Sequence, residues 1–525
     1  MAGDRKMFPP SFYRALRGDR YTKFNQRDRH AGFIGLLCLS KKGMVIHMKM
    51  FIDGKAVDAS NGKTIQVLNS ATQEPLDTVP AATPEDVARA IEAAQSGKRR
   101  WAATPQLERS RILQKCADMI SSHQEELAKL LSTDMGKIIR EATPEIAVSA
   151  QIFQGFAEMA NHLYGHTMSD YQKGADKDII FTRREPLGVV ACVSPFNYPV
   201  ELCSQKVAAA LAAGNAVIIK PATDNPLTIL RLVELCLEAG IPGDVLQVVT
   251  GSGSVIGDIL TKDPGIQAIS LTGSTEVGIH VAKTAADTLK RVFLELGGND
   301  PFIVFDDADM ELAVEEAVRG RVQNAGQTCC APKRFIVQNS VRKEFVERAQ
   351  ARIASVKWGS PLDWDTDFGS LISARATEEV GRQVEFTIGQ GARLVCGGKA
   401  HSATYYEPTL LDDVTLDMDI AKDMEIFGPV IPVIGFDTDD EAIAIANATC
   451  YGLQGGVMTT DMKRALKTAA ALECGGVCIN ASGNFRNCDQ PFGGWKMSGL
   501  GREGISVTLE EMSQEKSYIF KGILG

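Results

Sequence analysis

From residue 188 onward the chain alternates unbroken apolar runs with helical spacers. Val189-Val190-Ala191-Cys192-Val193, Ala216-Val217-Ile218-Ile219, Leu246-Gln247-Val248-Val249, Ala268-Ile269-Ser270-Leu271 and Arg291 to Leu296 read as strands. Ala208 to Ala213, Leu227 to Ala239, Ser254 to Thr261 and Thr275 to Ala286 read as the helices between them. Strands apolar on both faces and separated by helices predict a parallel sheet covered on each side. Such sheets bind ligands at the carboxyl ends of their strands. A second alternating block opens with Phe302-Ile303-Val304-Phe305 and the helix Met310 to Ala325, and runs to about Ile479. Upstream, Thr83 to Leu131 is helical, opening with Thr83 as N-cap, Pro84 at the first helical position and two acids at the positive end of the helix dipole. Asp178 to Thr182 reads as a short strand. The tail strand Ser517-Tyr518-Ile519-Phe520 has no partner nearby in sequence, so it is expected to pair with a distant strand or another chain.

With 525 residues the chain has room for two to four domains. A composition that is 44% hydrophobic and 23% charged excludes disordered, collagen-like and small disulfide-stapled classes. The net charge of −9 makes nucleic acid an unexpected partner. The first 50 residues differ, with 11 Lys and Arg against three Asp. Their apolar run, Ala31 to Leu39, is too short to span a bilayer and lacks the cleavage site of a signal peptide. Residues 1–47 are therefore expected to be a disordered extension or an upstream reading of the start codon, with organelle targeting the lesser alternative, since Asp4, Asp19 and Asp28 count against a transit peptide. Twelve cysteines without a CxxC pair predict free thiols in a reducing compartment, the cytoplasm, and no metal site.

Several motifs end these strands. Gly251-Ser252-Gly253 and Gly257 follow a strand and open a helix, where glycines admit a phosphate to backbone N–H groups; the GxGxxxG spacing departs from the dinucleotide fingerprint and suits an ordinary tight turn equally well. Thr272-Gly273-Ser274-Thr275 repeats that placement on the next strand. Leu294-Glu295-Leu296-Gly297-Gly298 ends a strand with a carboxylate that can point into a crevice or into solvent. Ser194-Pro195-Phe196-Asn197-Tyr198-Pro199 holds an Asn between prolines, either a turn residue or a rigid amide donor. In Gly326-Gln327-Thr328-Cys329-Cys330 a lone cysteine would more often be inert core than nucleophile.

Taken in order, these motifs resemble the aldehyde dehydrogenase superfamily from about Met50 to Gly525. The resemblance rests on Ser194 to Pro199, Lys220-Pro221-Ala222, Gly273-Ser274-Thr275, Leu294 to Gly298, Gly326 to Cys329, Glu425 to Val430, and Pro491-Phe492-Gly493-Gly494 through Ser498-Gly499 to Gly501-Arg502-Glu503. The interval of 34 residues from Glu295 to Cys329 also agrees.

The resemblance implies an α/β fold with a Rossmann-type cofactor domain (48–162 and 187–296), a catalytic α/β domain (297–500) and a small β oligomerisation element (163–186 and 501–525). The implied assembly is a dimer or tetramer, completed by the last strand in a neighbouring subunit. It also implies NAD(P)-dependent oxidation of an aldehyde, with Cys329 as nucleophile, Asn197 and the Cys329 N–H as oxyanion donors, and Glu295 as the base that hydrolyses the thioester. Lys220 would hold the adenosine ribose, Gly253, Gly257, Gly273 and Ser274 the diphosphate, Glu425 the nicotinamide ribose, and Phe427 the nicotinamide side. Many NAD-preferring members carry Glu where this chain has Thr223, which predicts access for NADP as well. Phe196 in place of the usual Trp points to the branch with lactaldehyde and non-phosphorylating glyceraldehyde-3-phosphate dehydrogenases. Gln205 replaces an Arg that binds the distal carboxylate in succinate-semialdehyde enzymes, and Arg486 lies in the loop lining the substrate mouth. These two are the candidate substrate residues, for a small semialdehyde or hydroxyaldehyde. A coenzyme-A-acylating enzyme typically lacks the base, so Glu295 argues against it. A non-catalytic protein on this fold, as lens crystallins are, would be marked by loss of Cys329 or Glu295, and both are present.

Overall fold

The computed structural model describes residues 46–525. The expected extension lies outside them save for Ile46–His47, a strand that already pairs with Asp77 and Thr78. Two large sheets organise the rest.

The first sheet has eight strands, in the order Gly499–Leu500, Arg291–Glu295, Ala268–Thr272, Val189–Val193, Ala216–Lys220, Leu246–Val248, Met50–Ile52 and Lys55–Val57. Its five middle strands are parallel. Ala216–Lys220, Leu246–Val248 and Ala268–Thr272 are buried at every position, which is why their sequences do not alternate. Strand order reverses between Val189–Val193 and Ala268–Thr272, so the crevice beyond Val193 and Thr272 is the topological switch point where such sheets take ligands. The helix Pro199–Ala213, apolar almost all round, is buried between this sheet and the helices Gln106–Ser122 and Ile139–Met159. The helix Pro84–Ala103 starts at the expected cap, where Thr83 and Asp86 form a reciprocal capping box.

The second sheet has seven strands, in the order Arg393–Cys396, Thr409–Val414, Val430–Phe436, Pro332–Gln338, Asp300–Val304, Gln454–Met458 and Gly476–Ile479. Each sheet has its own apolar core. The tail strand Ser513–Phe520 pairs antiparallel with Ile179–Pro186 of the same chain, which resolves where its partner lies and leaves its other edge unpaired among the described residues.

Two helices depart from the periodic reading. Ser254 to Thr261 becomes one π turn, Gly253–Gly257, followed by the short helix Asp258–Lys262. The helix expected to reach Ala325 stops at Val322, because Asn324 (φ 50°), Ala325 (φ 56°) and Gly326 (φ 76°) take left-handed backbone. Apolar spacing cannot register that reversal, since it comes from hydrogen bonds made by distant parts of the chain. Among the described residues no helix is long and apolar enough to cross a membrane.

Candidate active site

Glu295 is the last residue of its strand, and Gly297 and Gly298 carry the chain from it into the second sheet. A Cβ at Gly297 would overlap the Glu425 carboxylate, and one at Gly298 would come within 2.9 Å of the Cys329 carbonyl. A glycine at 298 therefore lets the segment that follows Glu295 lie against the backbone of Cys329. The Gly298 N–H donates to Glu425 Oε1 at 3.3 Å. Lys333, buried four residues beyond Cys329, ties the corner together: its Nζ donates to the carbonyls of Thr328 (3.0 Å) and Cys329, pairs with Glu425 at 3.2 Å, and lies 5.9 Å from the Phe427 ring centroid. Phe427 meets Phe196 edge to face at 5.8 Å, so the Asn197 segment borders the same corner.

Glu295 is 4% exposed, and neither carboxylate oxygen has a hydrogen-bond partner among the described residues. Burial, then repulsion from Glu503, raises its pKa to about 7, against the pull of the Lys206 and Arg486 cations. An unpaired buried carboxyl is costly to the fold, and a group so poised marks a functional position. The adjacent Cys330 thiol, burial and the Glu295 charge push the Cys329 thiol well above its ordinary range, with Lys333 acting the other way.

The other charges nearby have partners. Lys206 donates to Thr272 Oγ1 at 2.7 Å and pairs with Glu503 at 2.5 Å. Burial alone would raise the Glu503 pKa, but Lys206 and Arg486 hold it below the usual range. Arg486 donates to Glu503 at 2.7 Å, has Glu201 at 3.8 Å, and lies over the Phe492 ring at 4.2 Å. This alters the expectation that Arg486 awaits a substrate anion, since two carboxylates of the chain itself occupy it. Taking one partner from a buried ion pair costs about 3–5 kcal/mol, more than the about 1.5–3 kcal/mol that a charge-assisted hydrogen bond returns. Gln205 is fully buried with its side-chain oxygen unpartnered. With Lys206, Glu295 and Glu503 it lines a narrow cleft.

The candidate cofactor residues lie at and beside the switch point. Lys220, the last residue of its strand, is buried with its Nζ on its neighbour's carbonyl (3.0 Å), and burial lowers its pKa to about 8. The Thr223 hydroxyl donates to the Gly251 carbonyl at 3.2 Å, joining the ends of two adjacent strands. Ser274 caps the helix Thr275–Ala285 by accepting from the Val277 N–H. A Cβ at Gly253 or Gly257 would meet nothing within 4 Å, and one at Gly273 nothing closer than 3.8 Å, so these glycines border open space. A dinucleotide fits this set: a buried cation, open backbone at a switch point, and Glu425 in the segment leading into Val430–Phe436.

Lys206 and Lys333 escaped the motif reading. Each sits in a buried segment, Gln205-Lys206-Val207-Ala208 and Pro332-Lys333-Arg334-Phe335, next to a second polar residue and before an apolar run, and a cation at the edge of such a run is the signal that could have found them.

Residues 57–518 match the model of the Aldehyde dehydrogenase family. The chain is 41% identical over 476 residues to a glutarate-semialdehyde dehydrogenase of Pseudomonas putida, covering 91% of this chain and 98% of that protein. It is 39% identical over 474 residues to succinate-semialdehyde dehydrogenase (NADP(+)) GabD of Escherichia coli, covering 90% and 97%. A crystal structure of betaine aldehyde dehydrogenase from Staphylococcus aureus in complex with NAD+ superposes with a TM-score of 0.88 at 34% identity, covering 90% of this chain and 95% of that one.

The electrostatics generate a test. With the cofactor absent, Cys329 should react with iodoacetamide near neutral pH at least about tenfold more slowly than a free cysteine, because little thiolate is present. Glu295→Gln removes a charge that opposes thiol ionisation and should speed the reaction, as followed by peptide mass spectrometry. Slower alkylation in that variant would mean Glu295 promotes the thiolate.

Proposed function

The chain belongs to the aldehyde dehydrogenase family and oxidises an aldehyde with NAD or NADP as acceptor; from that premise we propose the roles of its residues and the class of its substrate. The observation that carries the reading is Cys329 set against a buried carboxylate, Glu295, that makes no ion pair of its own.

Cys329, once ionised, adds to the aldehyde carbon. The side-chain amide of Asn197 and the Cys329 N–H hold the oxyanion that develops. Bound nicotinamide supplies the acceptor for the hydride that leaves this carbon. The product on the protein is a thioester; Glu295 takes a proton from water as that water attacks the acyl carbon, and the acid leaves with release of the Cys329 thiolate. Lys220, Gly253, Gly257, Gly273 and Ser274 bind the adenosine and diphosphate portion, with Glu425 and Phe427 at the nicotinamide end. Thr223 leaves room for a 2′-phosphate, so both NAD and NADP are accepted.

The substrate is a small semialdehyde or hydroxyaldehyde held by neutral groups. Beside the adjacent thiols of Cys329 and Cys330, Tyr198 Oη accepts from Gln323 (3.1 Å), Gln323 accepts from Asn484 (3.0 Å), and Asn484 Oδ1 is 3.9 Å from Cys330 Sγ. The semialdehyde names of the two relatives favour a carboxylated far end, which neutral donors can also bind.

We assign residues 48–162 and 187–296 to the cofactor domain and 297–500 to the catalytic domain, although Gly499–Leu500 returns to pair with Arg291–Glu295. Residues 163–186 and 501–525 form the oligomerisation element. The free edge of Ser513–Phe520, with exposed Ile519, Phe520, Ile523 and Leu524 nearby, suits joining of subunits into a dimer or tetramer. All eleven cysteines among the described residues are free thiols, in keeping with a cytoplasmic setting.

Glu295→Gln should retain a burst of about one reduced cofactor per active site while steady turnover falls by about 100-fold or more, read by stopped-flow absorbance. Loss of the burst would assign Glu295 to acylation too.

Thr223→Glu should move the ratio of kcat/KM values toward NAD by about tenfold or more, through a like-charge clash with the 2′-phosphate. An unchanged ratio would place cofactor selection elsewhere.

Arg486→Gln should raise KM no more for a carboxylated aldehyde than for propanal. In the deacylation-limited pH profile, the limb near pH 7 set by Glu295 should move upward, because a cation that lowers the Glu295 pKa is gone. A KM rise confined to the carboxylated aldehyde would restore Arg486 as an anion receptor.

A further inference from the structure

An oxyanion held by Asn197 and the Cys329 N–H needs two donors, on separate segments, to stand a fixed distance apart. One side chain touches both segments. Asn324, 3% exposed, donates through its Nδ2 to the Asn197 carbonyl at 2.9 Å and to the Gln327 carbonyl, two residues before Cys329, at 3.2 Å. A primary amide has two N–H hydrogens, and here each goes to a different segment. We propose that Asn324 is a positioning residue that sets the spacing of the oxyanion donors. The inference rests on the roles proposed above for Asn197 and Cys329.

The surroundings hold that amide in place. Asn324 and Ala325 adopt left-handed backbone that side chains other than Asn and Asp seldom take. The conformation is held from three directions: the Asn324 N–H donates to Glu141 Oε2 at 2.9 Å, its carbonyl accepts from the Gln327 side chain at 3.1 Å, and that side chain in turn accepts from the Ile372 N–H at 2.9 Å. Gly326, next in line, has no room for a Cβ against the Gly428 backbone.

Glu141 lies near the start of the helix Ile139–Met159, and one turn later Glu145 accepts from the N–H groups of Val200 (3.0 Å) and Glu201 (3.4 Å), the first turn of the helix that follows Asn197. Lys137 neutralises Glu145 and lies 3.5 Å from the Tyr198 ring centroid. One helix end therefore holds both catalytic segments from outside, and the Asn324 amide joins them from within.

The test is a double-mutant cycle on the full chain with saturating cofactor. Asn324→Gly keeps the left-handed backbone and deletes the amide; it should lower the burst rate by about 10- to 100-fold, the scale of a misplacement of about 1 Å. Cofactor affinity and the rate of Cys329 alkylation, a reaction without an oxyanion, should stay unchanged, while the melting temperature falls because two buried carbonyls lose their donor. In an Asn197→Ala background the same substitution should cost less than about threefold, since the donor it positions is already gone. The isosteric Asn324→Asp, which turns oxygen toward both carbonyls, should be as slow as Asn324→Gly and serves if the glycine variant does not fold. Equal losses in both backgrounds, no loss at all, or a loss shared with alkylation and cofactor binding would overturn the proposal. If Asn197→Ala alone leaves the burst intact, the oxyanion role of Asn197 falls first, and that outcome is distinct from the others.

Discussion

The close approach that Gly297 and Gly298 permit is the constraint on which the site depends. It lays the end of a strand from one sheet against the turn that leads into the strand Pro332–Gln338 of the other, with the Glu425 carboxylate beside Gly297 and the Cys329 carbonyl beside Gly298. A side chain at Gly298 would meet the Cys329 backbone, whereas one at Gly297 would displace the end of the Glu425 side chain and crowd Tyr451. Glu295, at the end of that strand, is itself buried, which raises its pKa.

Inside that corner the charges form an ordered set. Lys206, Glu503, Arg486 and Glu201 are linked by contacts of 2.5 to 3.8 Å, and Lys333 pairs with Glu425. Glu295 alone among these carboxylates lacks a direct partner, while Lys206 and Arg486 act on it from a distance. The balance leaves it near pH 7, where a carboxyl is basic enough to take a proton from water and still ionised in a useful fraction. Fully paired, Glu295 would be too weak a base; with no cation near, it would be protonated for most of the working range.

Much of this was legible in the sequence, and what was not has a common cause. The strands Val189–Val193 and Ala268–Thr272 were readable because burial on both faces leaves continuous apolar runs, and the cap at Thr83 because its hydrogen bonds are local. Cys329, Glu295, Asn197 and the candidate cofactor residues stand out through motifs confined to a few residues each. The occupation of Arg486 could not be read, because Glu201 is far away in sequence and Glu503, 17 residues on, belongs to a separate motif that meets it only through folding. The left-handed turn at Asn324 was hidden for the same reason, its backbone being held by Glu141, 183 residues away. Local chemistry is written in short motifs, whereas pairing of buried charge is a property of the fold.

The most direct measurement is the site of acylation. Glu295→Gln protein mixed with aldehyde and oxidised cofactor, quenched in acid and digested, should yield one peptide heavier by the acyl group, with fragment ions placing the mass on Cys329. An acyl group on Cys330, or continued turnover with no adduct on either cysteine, would contradict the account.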